Sequence, residues 1–171
     1  MTPTQKSFLA VPEEDRMSTI LFLVLTFFSG GIFYYVRLSQ ILILCRNRFE
    51  PFPYKGLFYS LLILAGAIST LSGTLSSIWP TNAQFNATSL SADEKAQMIL
   101  VLIFSLALVL TCISWWILQL LLAYRTARSL RLKADETYGI DLPINNFLIF
   151  LFSFYYLNYI LNKYAPLRDF S

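Results

Sequence analysis

The sequence predicts an all-α integral membrane bundle of four transmembrane helices, and three observations carry that prediction. Four apolar stretches, Ser18–Val36, Leu57–Trp79, Met98–Tyr124 and Leu142–Tyr159, contain no charged residue. A soluble core helix shows one apolar stripe, whereas these stretches are apolar all round and of a length suited to a bilayer. Charged residues make up only 13% of the 171 residues, against about 25% in soluble domains, so lipid is the expected solvent. All seven prolines fall at the ends of the stretches or between them, which a helix interior requires. One membrane domain over 1–171 follows, with helices about 18–46, 56–79, 94–132 and 142–163 and a flexible tail over 1–16.

The first helix starts near Ser18. Glu13, Glu14 and Asp15 precede it where a cleaved signal would be positive, so the segment reads as a retained anchor. It leaves the apolar layer at Arg37 and continues towards the Pro51-Phe52-Pro53 break. Thr19, Thr26, Gly30, Arg37 and Gln40 form a polar seam along it. The pair Gly30-Gly31 is read as a packing site or a kink. The second helix ends at Trp79-Pro80, an interface signal. Ala65, Ser69, Gly73 and Ser77 recur on it at every fourth residue, and such small residues let helix backbones approach closely in lipid. They are the best helix-packing candidates, within the bundle or against another subunit.

The third helix opens on Asp93 and Glu94, which suit a helix N-terminus. It carries Ser105, Cys112, Trp115 and Gln119 on roughly one stripe. The fourth segment is the shortest in strictly apolar residues and is flanked by Asn145, Asn146, Asn158 and Asn162. It either crosses the bilayer or re-enters and lies at its surface. Gln119, Asn158 and Asn162 are candidates for a polar seam, through helix contacts or beside a small aqueous pocket.

Basic residues set orientation. Arg37, Arg46, Arg48 and Lys55 lie in the first link, Arg125, Arg128, Arg131 and Lys133 after the third helix, and only Lys95 near the second link. Loops 37–55 and 125–141 are therefore expected in the cytoplasm and the N-terminus outside. Arg125, Arg128, Arg131 and Lys133 either enforce topology alone or contact anionic lipid or an acidic partner. Asn86-Ala87-Thr88 fits a glycosylation acceptor in the outer link.

The chain has no histidine, which removes the commonest metal ligand and general base. Cys45 and Cys112 read as buried small hydrophobes rather than a redox pair. No acidic residue lies within an apolar stretch, which argues against proton-driven transport. No phosphate loop, H-E-x-x-H or nucleophile elbow occurs. No catalytic residue, metal, cofactor or nucleic-acid partner is expected, and the partners implied are the lipid bilayer, other membrane subunits or anionic lipids.

Thr26-Phe27-Phe28-Ser29-Gly30-Gly31-Ile32-Phe33-Tyr34-Tyr35-Val36-Arg37-Leu38 resembles a T-x-G-I-Y-type first-helix signature in a family of small bacterial membrane proteins known as a domain of unknown function. The run Tyr155–Lys163, with Asn162-Lys163 at its end, is similar to that family's aromatic last helix. Phe33 and Tyr35 depart from its usual tyrosine and tryptophan. The resemblance implies a bacterial inner-membrane protein of three to four helices with no assigned reaction. The functional expectation is a non-catalytic accessory, assembly or scaffold component, with a small-molecule or lipid-binding channel or carrier as the alternative.

Overall fold

A computed structural model describes residues 17–45, 52–79, 92–138 and 141–164. The expected tail over 1–16, much of the first link and the loop carrying Asn86 lie outside these residues. Five helices follow in order: α1 (Thr19–Phe28), α2 (Ile32–Leu44), α3 (Lys55–Ile78), α4 (Ala92–Tyr138) and α5 (Asn146–Tyr164). The described fold is thus all-α. Two of these helices, α3 and α4, are long and apolar enough to cross a membrane. Within the most apolar stretch of α4 no residue is buried, unlike the core helix of a soluble protein.

The sequence predicts one helix over 18–46, and here the structure differs. The chain breaks at Ser29-Gly30-Gly31 and doubles back. Gly31 N–H donates to the Thr26 carbonyl at 2.8 Å and Gly30 N–H to the Phe27 carbonyl at 3.2 Å. This pair of bonds is the Schellman closure of a helix C-terminus. It needs a left-handed residue, supplied by Gly30 at φ 59°, and Gly31 follows at φ 89°. Ser29 then caps the next helix, its hydroxyl accepting from Phe33 N–H at 2.9 Å. Phe22 stacks on Tyr34 with ring centroids 6.1 Å apart. In one continuous helix those residues would stand about 18 Å apart along the axis. Hydropathy had merged the arms because both are apolar.

The fourth segment is also broken. Ser153 sits at φ 46°, ψ −123°, inside what the sequence predicts as one helix over 142–163. The Tyr156 hydroxyl accepts from the backbone N–H of Asn145 at 3.0 Å, eleven residues away, so the chain bends back over itself. Four spanning helices are therefore not what the described residues display: two are long enough, and the first and last segments are folded.

The chain divides into two compact units, residues 1–58 with 119–171, and residues 59–118. Unit 1 holds most of the buried apolar side chains. α2 contributes Tyr34, Leu38, Ile41 and Leu42, and α5 contributes Phe154, Leu157, Ile160 and Leu161. The C-terminal part of α4 adds Leu122, Ala123, Thr126, Ala127, Leu130 and Ala134, spaced by threes and fours as one helix face requires. Unit 2 is built from α3 and the first part of α4. Its two helices are joined near one end by Gln97, whose amide donates to the Ile78 carbonyl at 3.0 Å.

Hydroxyls within the apolar helices bond to their own backbone. Ser69 donates to Ala65, Thr70 to Gly66, Thr74 to Thr70, Thr111 to Ala107 and Ser114 to Leu110, all at 2.7–3.1 Å. Such local satisfaction lets a polar residue face lipid without an orphaned donor.

Candidate functional site

The densest polar cluster in unit 1 is built around Arg37. The guanidinium is 1% exposed, although the sequence places Arg37 at the exit of the first apolar stretch as an interfacial charge. Burying an arginine is costly unless its donors are used. Its Nε and Nη2 both donate to Oδ1 of Asn158, at 2.9 and 2.8 Å, and Nη1 donates to Oε1 of Gln40 at 3.0 Å. Gln40 lies three residues on, one turn along α2, which is why it can reach.

Asn158 is 0% exposed and uses both ends of its amide. While Oδ1 accepts from Arg37, Nδ2 donates to the Met17 carbonyl at 2.9 Å and towards the Thr19 hydroxyl at 3.3 Å. Asn162, one turn further along α5, donates to the same Met17 carbonyl at 2.5 Å. Met17 lies just ahead of α1, where a helix end and its flanking carbonyl need partners. One asparagine on α5 therefore ties the start of α1 to the middle of α2. The arms of the first hairpin are locked together at their open end.

Towards its closed end the hairpin is aromatic. Phe22, Tyr34, Phe154 and Tyr155 form a cluster, with Phe22 to Tyr155 at 4.6 Å and Tyr34 to Phe154 at 6.2 Å between centroids. Ser153 and Gln119 neighbour the Tyr34 hydroxyl. The Tyr34 hydroxyl, the Ser153 hydroxyl and Gln119 Oε1 are buried and have no partner at good hydrogen-bonding geometry beyond this mutual approach.

The basic run of α4 separates into different roles. The Arg131 guanidinium donates to the Ile144 carbonyl, and Lys133 Nζ to the Leu44 carbonyl at 2.8 Å, which closes the C-terminal end of α2. Arg125 lies over the Tyr54 ring at 5.8 Å, and the Tyr54 hydroxyl shares a hydrogen bond of 2.5 Å with Ser129. Arg125 and Arg128 are exposed. The run that reads as one basic patch is thus half internal fastening and half surface charge.

Both described cysteines are free. Cys45 is buried at the end of α2, and burial pushes its thiol up to about 12 against the opposing pull of Lys133. Cys112 is exposed on α4, unlike the buried position expected for it. On α3 the small-residue row lies open. A side chain added at Gly66 or Gly73 meets nothing within 4 Å, and Ser69, Gly73 and Ser77 are exposed while Ala65 is half-buried.

Of the residues singled out from sequence, the structure brings together Asn158 and Asn162, and places Gln119 beside Tyr34 instead. Gly30 and Gly31 form the hairpin turn rather than a helix seam. Arg37 as the buried centre was missed. The signal for it was the amides: three neutral polar groups, Gln40, Asn158 and Asn162, at one-turn spacings on two segments. No acidic, histidine or cysteine cluster able to hold a metal occurs among the described residues. No family model, curated protein or solved structure matches the chain.

Proposed function

We propose that the chain is a non-catalytic integral membrane protein that acts through helix contacts as an accessory, assembly or scaffold component. In this reading α3 and α4 cross the bilayer, and α1, α2 and α5 enter it without crossing. The observation that carries the reading is the uncovered surface of unit 2, with α4 bare over its apolar window and the Gly66–Gly73 row of α3 open to close approach. Small residues in lipid gain van der Waals contact only when a neighbouring backbone fills the space. The occupant is a helix of another membrane subunit.

Charge gives the orientation. Arg125, Arg128, Arg131 and Lys133 follow the apolar part of α4, so that end faces the cytoplasm and the 80–91 link faces the opposite side. A first segment that doubles back returns its chain to the side from which it came, which supports a cytoplasmic position for residue 17 in this reading, where the basic residues alone suggest the outside. The resemblance of Thr26–Leu38 and Tyr155–Lys163 to a small bacterial membrane family fits an inner-membrane setting.

A second reading, lipid or small-molecule binding, draws on the unbonded Tyr34, Ser153 and Gln119 atoms, which together offer donors and an acceptor to one hydroxyl group. Mild-detergent purification of the native protein distinguishes the two. The accessory reading expects a stoichiometric membrane partner that Gly73→Leu releases. Solute transport or turnover by the purified chain alone in liposomes overturns it.

A further inference from the structure

We propose that the folded helices of unit 1 form a wedge in one leaflet of the bilayer, the leaflet beside Arg125 and Arg128, and that the chain thereby concentrates on curved membrane. The inference rests on the reading that α3 and α4 anchor the chain in the bilayer, and goes beyond it by assigning unit 1 an action on the lipid.

Length is the first support. α1 has 10 residues and α2 has 13, about 15 and 20 Å of helix, against a hydrocarbon core of about 30 Å. Each half of α5 on either side of Ser153 is shorter than α2. None is long enough to cross the core, and each pair turns back towards the side it entered from. The first turn is closed by protein groups: the Schellman bonds at Gly30 and Gly31 leave few backbone donors for water to serve.

Surface is the second support. Phe27 and Phe28 at the tip of the first hairpin are 82% and 81% exposed, and Ile32 beyond the glycines is also bare. Phe147, Leu151 and Phe152 are exposed on the first half of α5. Hairpin tips with bare aromatic and aliphatic residues fit acyl chains and no aqueous setting. The third support is charge. Arg125 and Arg128 are exposed on the C-terminal part of α4 and present positive charge that suits anionic head groups. Apolar volume inserted in a single leaflet spreads that leaflet relative to the other, and binding of this kind is curvature-sensitive.

The test uses the full chain, fluorescently tagged, in giant vesicles of phosphatidylcholine with a minor share of phosphatidylserine, oriented with Arg125 and Arg128 outward. A thin tube is drawn from each vesicle, and protein density on tube and flat membrane is compared with a lipid dye. The wild type is expected to be enriched severalfold on the tube. A Phe27→Asp, Phe28→Asp variant, charged at the tip, is expected to lose the enrichment while remaining in the membrane through alkaline extraction. Even distribution of the wild type overturns the wedge and leaves the membrane reading standing. Release of the wild type by alkaline extraction overturns the membrane reading itself. Enrichment unchanged in the Phe27→Asp, Phe28→Asp variant also overturns the wedge, because the tip would then have no part in it.

Discussion

At the scale of single residues, Arg37 and Asn158 decide most. One amide oxygen takes two guanidinium N–H groups while the amide nitrogen serves a helix-end carbonyl, so no simple replacement preserves both halves. Asn158→Leu removes the oxygen that accepts from both Nε and Nη2 of a buried guanidinium, which costs roughly 3 kcal/mol. Thermal unfolding in detergent should show a large drop in Tm, and an unchanged Tm would remove Arg37 from the centre of the fold. Arg37→Lys should not rescue, since a compact ammonium lacks the planar fork that spans both contacts. Cys45 yields a pH dependence of definite sign. An unfolded chain ionises it near 9.0 and the folded chain only near 12, so the folded state binds the extra proton between these values. Its contribution to stability is intact below pH 9 and declines as pH rises above it. The matching observation is that Cys45 reacts with thiol reagents at pH 8 only after denaturation; ready labelling of folded protein would contradict its burial. The sequence displays Arg37 in a polar seam with Gln40, and Asn158 beside Asn162. It does not display their pairing, which joins positions 121 residues apart and depends on both helices being folded back.

At the scale of elements, two turns distinguish this chain from a row of straight spans. Gly30 occupies a left-handed position that any side chain strains, with open space around it, so the cost of substitution is conformational alone. Gly30→Ala should therefore destabilise by about 1 kcal/mol. Ser153 is the reverse case: a non-glycine residue at φ 46° with an unbonded hydroxyl. Ser153→Gly should raise stability by about 1 kcal/mol through relief of that strain. Paired Tm measurements check both signs, and a loss of stability in Ser153→Gly would show that its hydroxyl is needed where it lies. α3 and α4 were legible because proline, tryptophan and acidic residues mark their ends and nothing interrupts them. The breaks in the first and last segments were not, since averaging hydropathy over twenty residues gives the same answer for a span and for two short apolar arms. The glycine pair gave a visible hint at the first break, and Ser153 gave none.

At the scale of the whole molecule, the proposed arrangement gives the bilayer two kinds of helix: two that cross and a set that enters and returns. Gly73→Leu separates the roles. With nothing within 4 Å of a Cβ at Gly73 among the described residues, the substitution should leave the Tm of the isolated protein in detergent unchanged and reduce its association with a membrane partner. A fall in the Tm of the isolated chain would mean that the row packs internally. Whether residues 18–44 turn back or cross the bilayer is decided by sidedness. Single cysteines at Ser18, Ile43 and Asn82, in a Cys45→Ala, Cys112→Ala background, are labelled in sealed vesicles with a membrane-impermeant thiol reagent. Ser18→Cys and Ile43→Cys are expected to label from the same face and Asn82→Cys from the other. Labelling of Ser18→Cys and Ile43→Cys from opposite faces would establish a crossing first helix and contradict the turned-back arrangement.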